Sequence, residues 1–148
     1  MSFNDKPTVI EEITDTVVDA SYVASTTKQA NIKLISKKMF FFINDHGRQT
    51  PIIIVAVAQL DDRKYAALFN TDNKKAYAVE LIERNGQIKE FRDMDGPGQD
   101  EEWAVVSNFF LKENVYDLNR INLWIYNTVA AARRGIKPKA FKLGRTQD

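Results

Sequence analysis

Acidic side chains gather in the stretch DMDGPGQDEE, residues 93–102. Calcium and magnesium take several oxygen ligands, so the stretch raises the hypothesis of a metal-dependent enzyme with Asp93, Asp95 and Asp100 as ligands. The spacing does not fit an EF-hand loop, because Pro97 stands where the third ligand belongs. We therefore predict no metal site here.

A helix start explains the same acids. Asp100 is predicted to be the N-cap of a helix, and Glu101 and Glu102 fall in its first turn, where the helix dipole favours negative charge. Trp103, Val106 and Phe110 follow at helical spacing and indicate the face that packs on a sheet; they are part of a wider apolar stripe.

Other catalytic patterns are weaker still. His46, the single histidine, lies beside Asp45 in the turn-like NDHGRQ, and no nucleophile is placed near that pair in the sequence. In DGPG a proline replaces a backbone N–H donor that a phosphate cradle needs, and the common phosphate-loop motifs are missing. We predict no catalytic residue, no cofactor and no enzyme activity, and we identify no small-molecule substrate.

The C-terminal end of the chain holds the one local charge imbalance. Its basic residues could neutralise phosphates in a salt-dependent manner or dock on an acidic protein groove, and a solvated tail is the simplest alternative. The candidate residues for contact with a protein partner or nucleic acid are Arg133, Arg134, Lys137, Lys139, Lys142 and Arg145.

Composition sets the outer bounds. A chain of 148 residues that is 44% hydrophobic and 28% charged has the size and balance of one globular domain, and its net charge of +1 provides no field toward nucleic acid or membrane. The absence of cysteine excludes disulfides, thiolate nucleophiles and Cys-bearing zinc sites. The sequence begins without a secretory signal pattern, so we expect cytoplasmic synthesis and no membrane partner, with the final location, for example in a virion, left open.

The middle of the chain predicts an antiparallel meander of about five strands. The second strand is continuously apolar, which predicts that both its faces are covered. In the fourth, Tyr77, Val79 and Leu81 alternate with smaller or charged residues, which predicts one face in solvent, and Asn85-Gly86 predicts the hairpin that follows. The segments are KKMFFFIND, TPIIIVAVAQL, YAALFNT, AYAVELIER and QIKEFRDM.

The predicted fold class is α+β, with this sheet packed by one or two C-terminal helices. A second helix is expected from about Asp117 to Arg134, stopped at Gly135. We divide the chain into an N-terminal extension (1–37), whose residues 8–24 could be helix or strand, an α+β domain (38–134) and a basic tail (135–148).

This order of elements resembles the YrzB-like family of short bacterial proteins of unknown function. The matching segments are FFIND and GRQTPIIIV, KYAALFN, AYAVELIER and DEEWAVVSNFF, over residues 38–111. The resemblance implies a strand meander closed by a helix that begins acid, acid, Trp, and it implies no active site. It also implies that what is particular to this protein lies in its extensions.

These observations favour a non-catalytic interaction or structural subunit of a larger, multi-copy assembly, with a virion as the analogy. Its partners would be other protein subunits, copies of itself included, bound through the terminal extensions. The alternative hypothesis is a nucleic-acid-binding accessory protein that uses the basic tail.

Overall fold

The computed structural model describes residues 9–10, 31–43, 48–136 and 140–142. In these residues seven strands come first, two helices follow, α1 (Asp100–Lys112) and α2 (Leu118–Arg133), and one short strand comes last, so the α+β class is confirmed. The strands are β1 (Val9–Ile10), β2 (Ile32–Ser36), β3 (Phe40–Ile43), β4 (Gln49–Leu60), β5 (Arg63–Asn70), β6 (Ala76–Arg84), β7 (Gln87–Arg92) and β8 (Ala140–Lys142).

The strands form one sheet in the order β1-β6-β5-β4-β3-β8, with β2 paired to β4 and β7 paired to β6. The five predicted strands correspond to β3 through β7, and their successive pairings are antiparallel. β8 pairs with β3 in parallel. Residues 140–142 of the predicted tail therefore belong to the sheet edge.

A β-bulge interrupts β4 at Val55. Ile54 pairs with Leu68 and Ala56 with Ala67, so Val55 has no partner of its own in β5. The bulge places Val55 and Ala56, neighbours in sequence, on the same face of the sheet, where both are fully buried in the core beneath the helices.

Both faces of β4 are buried over residues 52–56, as its apolar run predicted. One face packs against α1 and α2, which contribute Val105, Val106, Phe110 and Ile121 to the core. The other face carries a second apolar cluster drawn from the strands, with Ile54, Leu68, Val79 and Phe91 among its members.

The prediction that one face of β6 meets solvent is wrong, because residues 76–79 are buried on both sides. The reason lies in the curvature of the sheet. Phe42 in β3 and Phe91 in β7 are four strand positions apart, about 19 Å in a flat sheet, yet their ring centroids lie 5.0 Å apart in an edge-on contact. The sheet therefore curls around the cluster that contains Tyr77, Val79 and Leu81.

Local signals in the sequence explain several element ends. Asn85 and Gly86 both have positive φ, 56° and 76°, which confirms the predicted hairpin turn. Asp117 caps α2 by accepting bonds from the backbone N–H groups of Asn119 and Arg120, and Gly135, with φ of 84°, follows its last turn.

The predicted N-cap of α1 is wrong by one residue. Gln99 is the N-cap, and Asp100 is the first helical residue. The side-chain oxygen of Gln99 accepts a bond from the N–H of Gly96 at 3.1 Å, so it closes the preceding turn and does not cap the helix. The three acids nevertheless stand in the first turn, where the dipole favours them.

Arg120, in the first turn of α2, joins three separate segments of the chain. Its guanidinium donates to the carbonyl oxygen of Val115 at 3.1 Å, to that of Val55 at 3.3 Å, and to that of Lys37. Burial lowers the pKa of this guanidinium, and the nearby charge of Asp117 opposes that shift. The contacts tie the β2–β3 connection, the bulge in β4 and the α1–α2 connection to the start of α2.

Replacing Arg120 with Met should lower the free energy of unfolding by roughly 1.5–3 kcal/mol, because charge-assisted bonds to backbone carbonyls are lost and the oxygens are left without that donor. Urea denaturation followed by circular dichroism measures the change. Arg133→Met, at an exposed position, is the matched control and should stay within about 0.5 kcal/mol of wild type. Equal stability of the two variants would contradict the role given to Arg120.

Candidate functional site

The six predicted contact residues do not form one free tail. Arg133 and Arg134 are exposed at the C-terminal end of α2, and Lys142 lies in β8, in register with Ile43 of β3. The other three, Lys137, Lys139 and Arg145, lie outside the residues that the structure describes. Asp45 and His46 lie outside them as well.

The acid at the start of α1 is engaged in a structural contact. Glu102 accepts a 2.5 Å hydrogen bond from the hydroxyl of Tyr65 and forms an ion pair with Arg63 at 3.2 Å. Burial raises the pKa of Tyr65, and its bond to Glu102 raises it further. Within the described ranges, no group of three or more acidic or histidine side chains is arranged to hold a metal ion. Glu102 thus fastens α1 to β5.

The helix α2 has few buried residues for its length. Of the 16 residues of α2, only Ile121 is buried. Trp124 contacts Phe41 of β3 with ring centroids 4.7 Å apart, and Ile125 packs beside it against the core. These residues define the inner side of α2.

The opposite side of α2 is apolar and exposed. Leu123, Tyr126 and Val129, spaced three residues apart, are 61%, 71% and 44% exposed. At 100° per residue they share a side of the helix with Asn119, Asn122, Ala130 and Arg133. We call this set of seven residues the outer face of α2.

The outer face is also uncharged over most of its length. Residues 121–132 include no acidic or basic side chain, and Arg133 marks the end of this stretch. Contiguous apolar groups at a surface indicate a site of contact with another molecule, and exposed tyrosine is typical of protein interfaces. The outer face offers apolar side chains, two amides, the Tyr126 hydroxyl and the Arg133 guanidinium, a composition suited to binding another molecule.

Sequence reasoning missed the outer face, although a signal was present. In the helix predicted from Asp117 to Arg134, apolar residues occur on every side of the helical wheel. Such a helix buries all its apolar side chains only if other elements pack on every side of it. A helix that lies on one face of a sheet is packed on one side only, so apolar side chains on its other side are exposed. Leu123 and Tyr126 lie opposite Ile121 and Trp124 on the helical wheel, so both pairs cannot face the sheet at once.

Comparison of the chain with known protein families, with curated proteins and with solved structures finds no match in any of the three. In the part of the chain that the structure describes, no helix has the length and apolar character needed to cross a membrane.

Two buried tyrosines should make stability fall at high pH. Burial raises the pKa of Tyr65 and Tyr116 above the usual 10.0, so the folded chain keeps protons that the unfolded chain loses. The free energy of unfolding should be level below about pH 9 and should decrease as pH rises above about 10. Urea denaturation at a series of pH values from about 8 to about 11 measures the decrease.

Tyr65→Phe and Tyr116→Phe should each make that decrease shallower, because each removes one of the retained protons. Tyr126→Phe, an exchange at an exposed position, is the matched control. A pH dependence that is the same in all three variants would contradict the assignment to the two buried hydroxyls.

Proposed function

We propose that this protein is a non-catalytic interaction subunit that binds other protein through the outer face of α2. The observation that supports it most is the row of Leu123, Tyr126 and Val129 on a helix with a single fully buried residue. Burial of large apolar side chains drives most protein association, and tyrosine is among the residues that contribute most to interfaces.

The contacts that hold α2 against the sheet support the same proposal. The Arg120 contacts and the packing of Trp124 against Phe41 hold the inner side of the helix against the sheet. The outer face is thereby presented in a fixed orientation, so little conformational freedom is lost when a partner binds. In this reading the curled sheet is a scaffold and α2 is the contact element.

A role in a multi-copy assembly, and contacts made by the terminal extensions, are further parts of this proposal. β1 and β8 give them some support, because segments close to both ends of the chain pair with the sheet, on β6 and β3 respectively. Pairing of this kind anchors the start of an extension to the scaffold. Similarity to the YrzB-like family also stays a proposal, and it carries no function with it.

The second candidate function is contact with nucleic acid. Tyr126 and Arg133 are two helical turns apart on the outer face, and Arg134 follows at once. An exposed aromatic ring with cations nearby is a combination that binds single-stranded nucleic acid through stacking and phosphate contacts. The near-neutral net charge of +1 argues against this as the main activity.

Tyr126→Asp should abolish binding to the protein partner, because it places a charge in the middle of an apolar contact. The measurement is mass spectrometry of proteins that a tagged full-length chain retains from its native cells, with nuclease added. Wild type should retain a partner in near-stoichiometric amount, whether an untagged copy of this chain or another protein, and Tyr126→Asp should lose it.

Asn127→Asp is the matched control, since it adds the same charge at a neighbouring exposed position that points away from the centre of the outer face. It should retain the partner as wild type does. The proposal is refuted if all three baits retain the same proteins in the same amounts.

The nucleic-acid candidate predicts binding to a fluorescent single-stranded oligonucleotide that weakens as salt rises. Replacing Arg133 and Arg134 with Ala should reduce the slope of log affinity against log salt by about 1.4, since each phosphate contact on a single strand contributes about 0.7. Fluorescence anisotropy measures it. Absence of binding at low salt, or a slope unchanged in the double variant, would exclude this candidate.

A further inference from the structure

The charge pattern of α2 narrows the identity of the partner. Between Arg120, which is turned toward the sheet, and Arg133 there is no charged side chain. The middle of the outer face, within residues 121–132, therefore has no charge with which to select an oppositely charged partner. It can meet a surface identical to itself without like-charge repulsion, and two chains of net charge +1 do not repel strongly at long range.

The outer face is also complementary to itself. Asn119 and Arg133 are each seven residues, about 10.5 Å, from Tyr126, which therefore lies at the centre. If two outer faces meet with their helices antiparallel, Leu123 of one copy lies level with Val129 and Ala130 of the other. A larger side chain then packs against smaller ones on both sides of a central tyrosine pair.

The direction of pairing follows from the position of the arginines. In a parallel pair, Arg133 and Arg134 of both copies would lie together and bring four positive charges to one end. In an antiparallel pair, the two Arg133 side chains are about 21 Å apart along the axis, beyond the screening length of about 8 Å. Each Arg133 then lies level with Asn119 of the other copy, whose amide oxygen can accept a hydrogen bond.

We propose that the outer face of α2 binds the outer face of α2 in a second copy of this chain, antiparallel, with a two-fold axis at Tyr126. This inference rests on the proposed function, because it names the partner of the same surface. A two-fold axis makes such a contact self-limiting, so the product is a dimer. One helix face is small beside the roughly 800 Å² per partner of a standard interface, so we expect reversible association in the roughly micromolar range.

The absence of cysteine makes the arrangement directly testable by cross-linking. Two full-length variants, Asn119→Cys and Arg133→Cys, differ in size by a tag and leave Tyr126 intact. Each is treated with a short bismaleimide alone, and then as an equimolar mixture. The antiparallel dimer predicts a linked product between the two variants in the mixture, and none from either variant alone, because like positions are about 21 Å apart.

Tyr126→Asp introduced into both variants is expected to remove the linked product, and light scattering should show the wild-type mass rising toward a dimer with concentration. Linking of either variant to itself would overturn the antiparallel arrangement. A linked product that no longer forms when the proteins are treated with nuclease before cross-linking would overturn direct pairing, since nucleic acid would then bridge the copies.

A monomer at every concentration, with no product in the mixture, would overturn the second copy as partner. The proposed function would still stand if a different protein were retained from cells in a Tyr126-dependent manner. The proposed function and the second copy as partner fail together only if Tyr126→Asp changes neither the association of the chain with itself nor its binding of any other protein.

Discussion

The Arg120 guanidinium fixes how α2 sits on the sheet. It is held by the carbonyl oxygens of Val115, Lys37 and Val55, and Val55 is the residue at which β4 bulges. With Ile121 buried beside it, the rotation of α2 about its own axis is set. Tyr126 follows Ile121 by five residues, a rotation that brings it about 140° round the helix, so the same contacts that bury one side expose the other.

The curl of the sheet provides the body on which this helix is mounted. β4 spans both cores: it gives Ile53, Val55 and Ala56 to the helical side and Ile52 and Ile54 to the inner curve. The bulge shifts the alternation of side chains by one residue, so the strand can bend while it keeps apolar groups on both faces. The contact of Phe42 with Phe91 then closes the inner cluster between the first and last strands of the meander.

The elements with strong local signals could be predicted from the sequence. The strands β3 through β7 follow from apolar runs separated by turn residues. Asn85-Gly86 marks the turn between β6 and β7, and Asp117 and Gly135 mark the two ends of α2. These signals depend only on backbone conformation and on contacts between near neighbours in the sequence. The N-cap of α1 could not be predicted, because glutamine is a poor capping residue by type and Asp100 beside it is a good one. In the structure Gln99 holds the N-cap position while its side chain accepts a hydrogen bond from Gly96.

Features that depend on distant contacts could not be predicted. Alternation in β6 shows which residues share a face, but whether that face meets solvent depends on the curl of the whole sheet. The short β8 has no periodicity to detect, since three residues pair with β3. At the candidate site, Arg133 of α2 and the adjacent Arg134 could be identified from the sequence as candidate contact residues, because they are charged. The outer face was not recognised, because the sequence alone does not show how little of α2 the sheet covers.

The most direct test of the central claim, that α2 meets α2 in a second copy, is a methyl NMR spectrum recorded over a concentration series. Leu123 and Val129 carry methyl groups on the outer face, whereas Leu68 and Val79 are fully buried in the inner cluster. If two outer faces meet, the resonances of Leu123 and Val129 move with concentration while those of Leu68 and Val79 stay fixed. Resonances of Leu123 and Val129 that stay fixed while the molecular mass rises would contradict the claim, because the copies would then meet elsewhere.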